Sequence, residues 1–450
     1  MSSENKMGVL PIPKLILTMS IPPITSMFMQ YSYNFVDSAF VAHISENALT
    51  AVSLSFPITA LMCAFSIGIG VGINVLIARY LGRKEQDNAD TVTTLGILIA
   101  FICGVILNIG AMFIIKPYFR AFTDNEEIFA LCMEYMSVCV FMQVPNMVHI
   151  AIQKIIQGTG NMIAPMCFQI AGVIFNLVFD PVLIFGIGIF PKMGIKGAAL
   201  STVLGYTLSM ILAFYALIGR KQKVRIKIKG FKIQKDMVRD VFVLGFPSFI
   251  MNALNSFMVT FANFFLAAYS MTAIAFFGAY YKAQHMIVMT VNGLIQGCLP
   301  IMSFSYGAKR FDRLNTTYVY GTVAAGAMMC IGAALLFVFP DEILGLFNAS
   351  EEMLSLGRKA MKIMALGYVF NGISTMTATY MQSVGKVKIS LSINLMRQFT
   401  ALLPVMFIFS RLWQMDGIWW AFPATETITL IFALFMLKKH IKKHYKNILY

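Results

Sequence analysis

Apolar stretches of about 20 to 30 residues, separated by short clusters of charge, constrain this chain more than any other feature. Each is long enough to carry a helix across a hydrocarbon core of about 30 Å. Inside lipid no water is at hand for a backbone N–H or C=O, so a crossing chain must pair those groups itself, and a helix does so segment by segment. The other solution, a barrel of alternating segments of about ten residues, has no counterpart in the pattern. Composition agrees, because 58% of the 450 residues are hydrophobic and only 12% are charged, more apolar surface than a soluble fold can bury. The opening MSSENKMGVL is polar and lacks a small-residue cleavage site, so no removable signal peptide is expected. The seven cysteines (Cys63, Cys103, Cys132, Cys139, Cys167, Cys298, Cys330) lie in apolar stretches without CxxC spacing and read as small core residues.

Apolar runs between charge clusters predict twelve spans, near 14–41, 50–80, 91–116, 128–157, 162–190, 194–219, 238–268, 271–303, 315–340, 355–383, 387–411 and 416–437. Basic residues then set the orientation. With the N-terminus inside, 25 Lys and Arg fall in cytoplasmic segments and span ends, including Lys154. Eight fall outside, and Lys282 and Arg397 lie well within spans. The imbalance places both termini in the cytoplasm, and the expected location is the inner membrane of a prokaryote.

The stretch RKQKVRIKIKGFKIQKD (220–236) divides the chain near its midpoint, giving a first lobe 1–219, a basic linker 220–236 and a second lobe with a basic tail, 237–450. In a soluble protein a net charge of +15 would suggest nucleic acid. Here the basic residues lie between spans, and the linker reads as a loop against anionic lipid, with no nucleic-acid partner. The sequence repeats around it. One offset, 225, links Pro22 to Pro247, Gly82 to Gly307, and the QxxG pair Gln157–Gly160 to Gln382–Gly385, while Pro181 and Gly194 match Pro404 and Gly417 at 223. Six spans per half is an even number, so the halves share one orientation. The expectation is an all-α membrane protein with twelve transmembrane helices in two six-helix bundles related by an internal repeat.

Acidic residues inside spans are costly, about 2.5–3.5 kcal/mol each on insertion scales, and are functional candidates for that reason. They are Asp37, Glu134, Asp180 and Glu426. Tyr33 and Asn34 share a helix face with Asp37, and Asn176 stands one turn before Asp180. Pro181 lacks an N–H, which frees the Leu177 carbonyl. Amides beside a carboxylate can hold its proton or complete an oxygen cage for a small cation, so sodium at Asp37, Asn176 and Asp180 is one reading and an interhelical clamp another. By the repeat offsets, Asp37 and Asp180 correspond to Ala262 and Leu403, so the acids do not repeat. The first bundle is therefore expected to couple to the driving ion. Glu134 reads as a helix-end residue. Tyr33, Gln157, Asn255, Lys282, Gln382, Arg397 and Glu426 are candidate cavity residues, with Glu426 either attracting cationic substrate or pairing with Lys282 or Arg397. The 33 methionines and 39 phenylalanines would suit a site for flat, cationic or amphiphilic molecules wherever they line a cavity.

SIGIGVGIN (66–74) does not follow a strand, so its glycines read as close helix packing and not as a nucleotide fingerprint. GxxxxGK[ST] and HExxH are absent from the sequence, and no cofactor or resident metal is expected.

These motifs resemble the multidrug and toxic compound extrusion (MATE) transporters over essentially the whole chain. NFVDSAFVA, NVLIARYLGRKEQDNAD, IIQGTGNMIAPM, FNLVFDPVLIFG with GIKGAALST, LIQGCLPIMSFSYGAKRFDRLN, QSVGKVKISLSINLMRQ and DGIWWAFPATET carry the likeness. The resemblance implies two lobes working by alternating access, antiport of protons or sodium ions, and export of organic cations or drugs by a functional monomer. The family's first-lobe cation site looks to map onto Asp37, Asn176 and Asp180, with Thr202 as an addition, and Asn34 joins the ion-coupling candidates from its place on the helix face of Asp37. One departure is Asn255, which stands where some members carry an acid on the seventh span. A lipid-linked oligosaccharide or polysaccharide flippase is the alternative transport reading, opposed by the presence of only Lys282 and Arg397 to meet a pyrophosphate. An intramembrane enzyme using Asp37 and Asp180 is opposed by the repeat, which catalysis does not explain. In a cysteine-free background, Ile228→Cys and Tyr445→Cys are expected to resist an impermeant thiol reagent in intact cells and to react once the membrane is opened. Labelling of either in intact cells would reverse the orientation.

Overall fold

The computed structural model describes residues 5–219, 222–227, 230–347 and 350–446. Part of the basic linker, including Ile228, therefore lies outside the described residues. The first half contains the short turn α1 (Lys6–Val9) and then α2 (Ile12–Ala42), α3 (Glu46–Gly82), α4 (Gln86–Phe122), α5 (Glu126–Cys139), α6 (Gln143–Gly158), α7 (Ile163–Phe185) and α8 (Ile195–Ile218). The second contains α9 (Lys235–Ala267), α10 (Met271–Gly307), α11 (Phe311–Val338), the short α12 (Pro340–Gly345), α13 (Glu351–Ala365), α14 (Tyr368–Ser383), α15 (Val387–Leu395) and α16 (Leu402–Lys446).

Among the described residues these helices make twelve passes. A 3₁₀ turn at Val140–Met142 joins α5 and α6 into one pass. A break at Leu366–Gly367 separates α13 from α14 within another. A π-helical turn at Met396–Thr400 links α15 to α16, and non-helical backbone at Trp413 and Gln414 bends α16 into two passes. The pass through α13 and α14 is the least apolar, carrying Arg358, Lys359, Lys362 and a run of Ser and Thr. On α4 the outward side chains Ile102, Ile106, Ile109 and Phe113 are exposed, Phe113 by 75%, while Leu95, Ile99, Ile115 and Phe119 are buried. An apolar stripe left uncovered along a whole helix fits a lipid solvent and not water.

The chain packs into two compact units, one of Met1–Val9, Thr25–Phe249 and Gly307–Lys309, the other of Leu10–Ile24, Ile250–Tyr306 and Arg310–Tyr450. The leading segment of α9 belongs to the first unit because small residues let it lie directly on α3. A Cβ added at Gly72 would overlap the Val241 carbonyl, and one at Gly245 would overlap the carbonyl of Gly68. The second unit repeats this contact with the counterparts of Gly68 and Gly72, where Gly293 and Gly297 of α10 meet Ile24 and Met19–Ser20 of α2. The glycine run 66–74 thus serves close helix packing.

The turns show the repeat in backbone detail. Lys84 and Lys309 both take a left-handed conformation, at φ 63° and 56°. The N–H of the next residue reaches back in each case, Glu85 to the Tyr80 carbonyl and Arg310 to that of Ser305, both at 2.9 Å. Gly160 and Gly385 likewise have φ 92° and 81° and donate to the carbonyls of Gln157 and Gln382. One pairing differs from the expectation. The unusual conformation of Gly194 (φ 55°, ψ −133°) recurs at Gln414 (φ 51°, ψ −132°), so the offset there is 220 and Gly417 corresponds to Gly197. The connection before the last pass is shorter than its first-half counterpart, which reduces the spacing without changing the turn. Lys154 is also not free at a cytoplasmic end, since its side chain is buried and Nζ donates to Gln157 Oε1 at 2.9 Å.

A β-branched residue is strained at positive φ, by about 1–2 kcal/mol, where glycine is not. Lys84→Val and Lys309→Val are therefore expected to lower the melting temperature of the purified protein similarly, while Lys84→Gly and Lys309→Gly are not. Unequal responses of the two positions would mean that the turns are not equivalent.

Candidate functional site

Asp37 and Asp180 are distant in sequence, one on α2 and the other on α7, and they meet inside the first unit. Tyr33 and Asp37 lie one turn apart on α2, Asn176 and Asp180 one turn apart on α7, and Ser201 and Thr202 are adjacent on α8. The carboxyl groups face each other closely enough to interact, with Tyr33 and Ser201 beside Asp180 and with Tyr135 and Cys139 of α5 close to Asp37. Yet Tyr33 Oη, Asp37 Oδ1, Asn176 Oδ1 and both Asp180 oxygens are buried with no hydrogen-bond partner within 3.5 Å. Asp180 is 0% exposed.

Four of these five atoms can only accept while the acids are ionised, so their convergence calls for a donor or a cation. A shared proton, a water or a small cation in an oxygen cage would each answer it, because buried acceptors left unmatched are costly. Among the described residues no group of three or more His, Cys, Asp and Glu is arranged to hold a metal ion.

Local sequence explains why the helices approach so closely here. Gly197, Ser201, Gly205 and Ser209 recur every fourth residue of α8, forming a small-residue stripe against α7. A Cβ on Gly205 would overlap the Asn176 amide, and one on Gly197 the Leu183 backbone. The stripe's hydroxyls also occupy α7 carbonyls, Ser209 Oγ donating to Phe168 O at 3.1 Å and Ser201 Oγ to Asn176 O at 3.5 Å. Thr202 Oγ1 donates to Ala198 O at 3.0 Å and stands near Tyr33. Asn34 is exposed and not buried with Asp37. Glu134 pairs loosely with Lys196, at 3.8 Å, near the surface.

The remaining candidates do not join this pocket. In the second unit Glu426 Oε1 accepts from Asn371 Nδ2 at 2.7 Å, while Oε2 is buried without a partner. It faces a cavity of about 30 Å³ lined by Tyr280, Gln284, Tyr368, Asn371 and Phe422 among others. Tyr280 and Tyr368 share a hydrogen bond of 3.0 Å at its edge. That volume holds one or two waters or a small ion and, in this conformation, no drug-sized molecule. Neither rival partner forms an ion pair with Glu426: Arg397, on the π-helical turn, hydrogen-bonds Thr375, and Lys282 is exposed. Asn255 Oδ1 accepts from Gln398 Nε2 at 3.0 Å. Gln157 and Gln382 stand in the matching glycine turns that end α6 and α14. Ser201, Tyr135 and Asn371 escaped the sequence reading, although the every-fourth-residue stripe could have pointed to Ser201.

A family model, MatE, matches twice, over residues 22–182 and 247–408. The chain belongs to the MatE family. The two matches begin at Pro22 and Pro247, the same interval that separates the turns at Lys84 and Lys309. Membership bears out the resemblance read from NFVDSAFVA, FNLVFDPVLIFG and their companions. Among curated relatives the chain is similar to the multidrug export protein MepA of Staphylococcus aureus (strain NCTC 8325 / PS 47), 22% identical over 429 residues that cover 95% of this chain and 94% of that one. MepA of Staphylococcus haemolyticus (strain JCSC1435) is also 22% identical, covering 94% and 93%. Among solved structures, an outward-facing multidrug resistance MATE family transporter of the MOP superfamily superposes with a TM-score of 0.93 at 23% identity, covering 99% of both chains. A MOP superfamily transporter from Pyrococcus furiosus Vc1 (DSM3638) gives 0.92 at 23% identity and 98% coverage of both. The MatE fold of twelve passes is thereby established for this chain.

Proposed function

We propose that this MatE chain is a secondary active multidrug exporter that exchanges a cation, proton or sodium, for organic cations or amphiphilic drugs by alternating access. The observation that carries the reading is the pocket where Asp37 and Asp180 face each other with unmatched oxygens around them. Two carboxyl groups desolvated together hold one proton or one small cation between them far more readily than two bare charges. A cation bound there draws α2 and α7 together, and its release relaxes them, so the site can favour one conformation over another by its difference in affinity for the ion. One charge crossing about 100 mV supplies about 2.3 kcal/mol, a useful bias. The names of the curated relatives support the export of drugs.

The same reading places the protein in the inner membrane as a functional monomer, with both termini and the linker in the cytoplasm and lobes at 1–219 and 237–450. Glu426 acts on cationic substrate once its pocket opens. The flippase reading gains nothing from Lys282, which is exposed.

Export of a fluorescent organic cation from proteoliposomes, with pH and sodium gradients imposed separately, is the test. Asp37→Asn and Asp180→Asn are each expected to abolish gradient-driven transport while the protein stays folded and inserted, because the amide keeps the shape but cannot carry the charge. Retention of ordinary gradient dependence in the double variant would remove the coupling role. In binding measurements, Glu426→Gln is expected to weaken an organic cation more than its neutral analogue, and an equal loss for both would defeat selection by Glu426.

A further inference from the structure

A second cavity lies in the first unit, lined by none of the residues of the Asp37–Asp180 pocket. It is a groove of about 520 Å³ whose walls are Ile97, Leu98 and Phe101 of α4, Val144 and Val148 of α6, and Met210 and Phe214 of α8, with Thr94 and Ile226 at one end. The volume falls within the range of about 300–1,000 Å³ typical of ligand pockets, and Thr94 is the only polar residue in the lining.

The linker defines the mouth of this groove. Residues 223–227 run along α4 in a fixed register: Gln86 Nε2 donates to the Lys223 carbonyl at 2.6 Å, the Arg225 N–H to Asp90 Oδ1 at 2.8 Å, and the Lys227 N–H to Thr94 Oγ1 at 2.7 Å. Two residues of extended chain advance about 6.6 Å and four residues of helix about 6 Å, so every second linker residue meets the same face of α4 one turn further on. The intervening side chains turn the other way, Val224 into the core and Ile226 over the groove. Beyond Thr94 the same face of α4 continues as Ile97, Leu98 and Phe101, which line the groove. From Thr94 to Phe101 the helix rises about 10 Å, and from Ile218 back to Met210 about 12 Å. The groove therefore runs from the membrane surface into roughly the depth of one leaflet.

Charge at the mouth is positive and largely unmatched. Lys227 Nζ pairs with Asp87 at 2.5 Å, and Asp90 is taken by the Arg225 N–H and the Gln86 amide. Lys223 and the nearby Lys6 have no carboxylate within 4.0 Å among the described residues, and Arg225 is exposed. Burial, and then the Lys6 charge, hold the Lys223 ammonium below its ordinary value.

We propose that this groove binds one anionic phospholipid of the linker-side leaflet, an acyl chain lying against Leu98, Val148 and Met210 and the phosphate headgroup meeting Lys223 and Arg225. A lipid so placed bridges the linker to α4, α6 and α8. Its apolar and charged parts each find a matching surface, in the order in which a phospholipid presents them.

The test uses full-length protein in mixed micelles of phosphatidylglycerol and phosphatidylcholine, read by native mass spectrometry and by cross-linking with a phosphatidylglycerol carrying a photoreactive acyl chain. Wild type should retain one phosphatidylglycerol in preference to phosphatidylcholine and cross-link within 94–101, 144–148 or 210–214. Leu98→Trp and, independently, Met210→Trp fill the groove and should reduce retention of either lipid severalfold. Lys223→Gln and Arg225→Gln should leave the chain site intact but lower the preference for phosphatidylglycerol by about fivefold for each charge removed. Equal retention of the two lipids by wild type would show an unselective lipid shell and overturn the proposal, as would cross-links confined to other helices. Displacement of the cross-link by a hydrophobic cationic drug would make the groove a drug site and overturn it as well. The cross-linking arm decides the matter in wild type even where a tryptophan variant does not fold.

Discussion

A backbone amide in hydrocarbon has nothing but the protein to bond with, and the rest of this structure follows from that requirement. It forces the crossing segments into helices, and since lipid is as apolar as leucine, those helices gain little from merely hiding side chains from one another. What holds them is close contact. Gly72 and Gly245 let α3 and α9 approach until backbone meets backbone, Gly293 and Gly297 do the same for α10 and α2, and the stripe from Gly197 to Ser209 brings α8 onto α7. Serine hydroxyls then satisfy carbonyls across the contact, as Ser209 does at Phe168 O.

Close packing is also what makes the polar interior consequential. Asn176 packs directly on Gly205, and Glu426 lies against Gly367. Buried oxygens of Asp37, Asp180 and Glu426 find no hydrogen-bond partner among the described residues. The halves place these acids differently: in the first unit they bridge α2 and α7, and in the second a single acid on α16 is bonded to Asn371 of α14. The scaffold repeats while its buried carboxylates do not.

Most of the fold could be read from the sequence, and the site only in part. Apolar run length, the basic linker and the half-to-half period predicted the passes and the repeat, since each depends on local composition that lipid enforces. Asp37, Asn176 and Asp180 were legible as costly residues one turn from polar neighbours. Ser201, Tyr135 and Asn371 were not, because Ser, Tyr and Asn are common in membrane helices and nothing in their spacing names the partner they will face. Gly417 was matched to Gly194 and not to Gly197 because a connection of different length shifts the period, and only the shared backbone conformation of Gly194 and Gln414 corrected it.

The sequence by itself determined the solvent, the helical passes, the internal repeat and the small set of acids inside the spans, for these follow from transfer free energies and periodicity along the chain. Tertiary structure decided which of those acids meet. It brought Asp37 of α2 to Asp180 of α7, gave Glu426 an asparagine where an arginine or lysine had been candidates, and folded Lys154 into the interior. It also assigned the leading segments of α2 and α9 to opposite units. Such pairings depend on which helix faces touch, a property of three-dimensional contact between distant segments that no local pattern encodes.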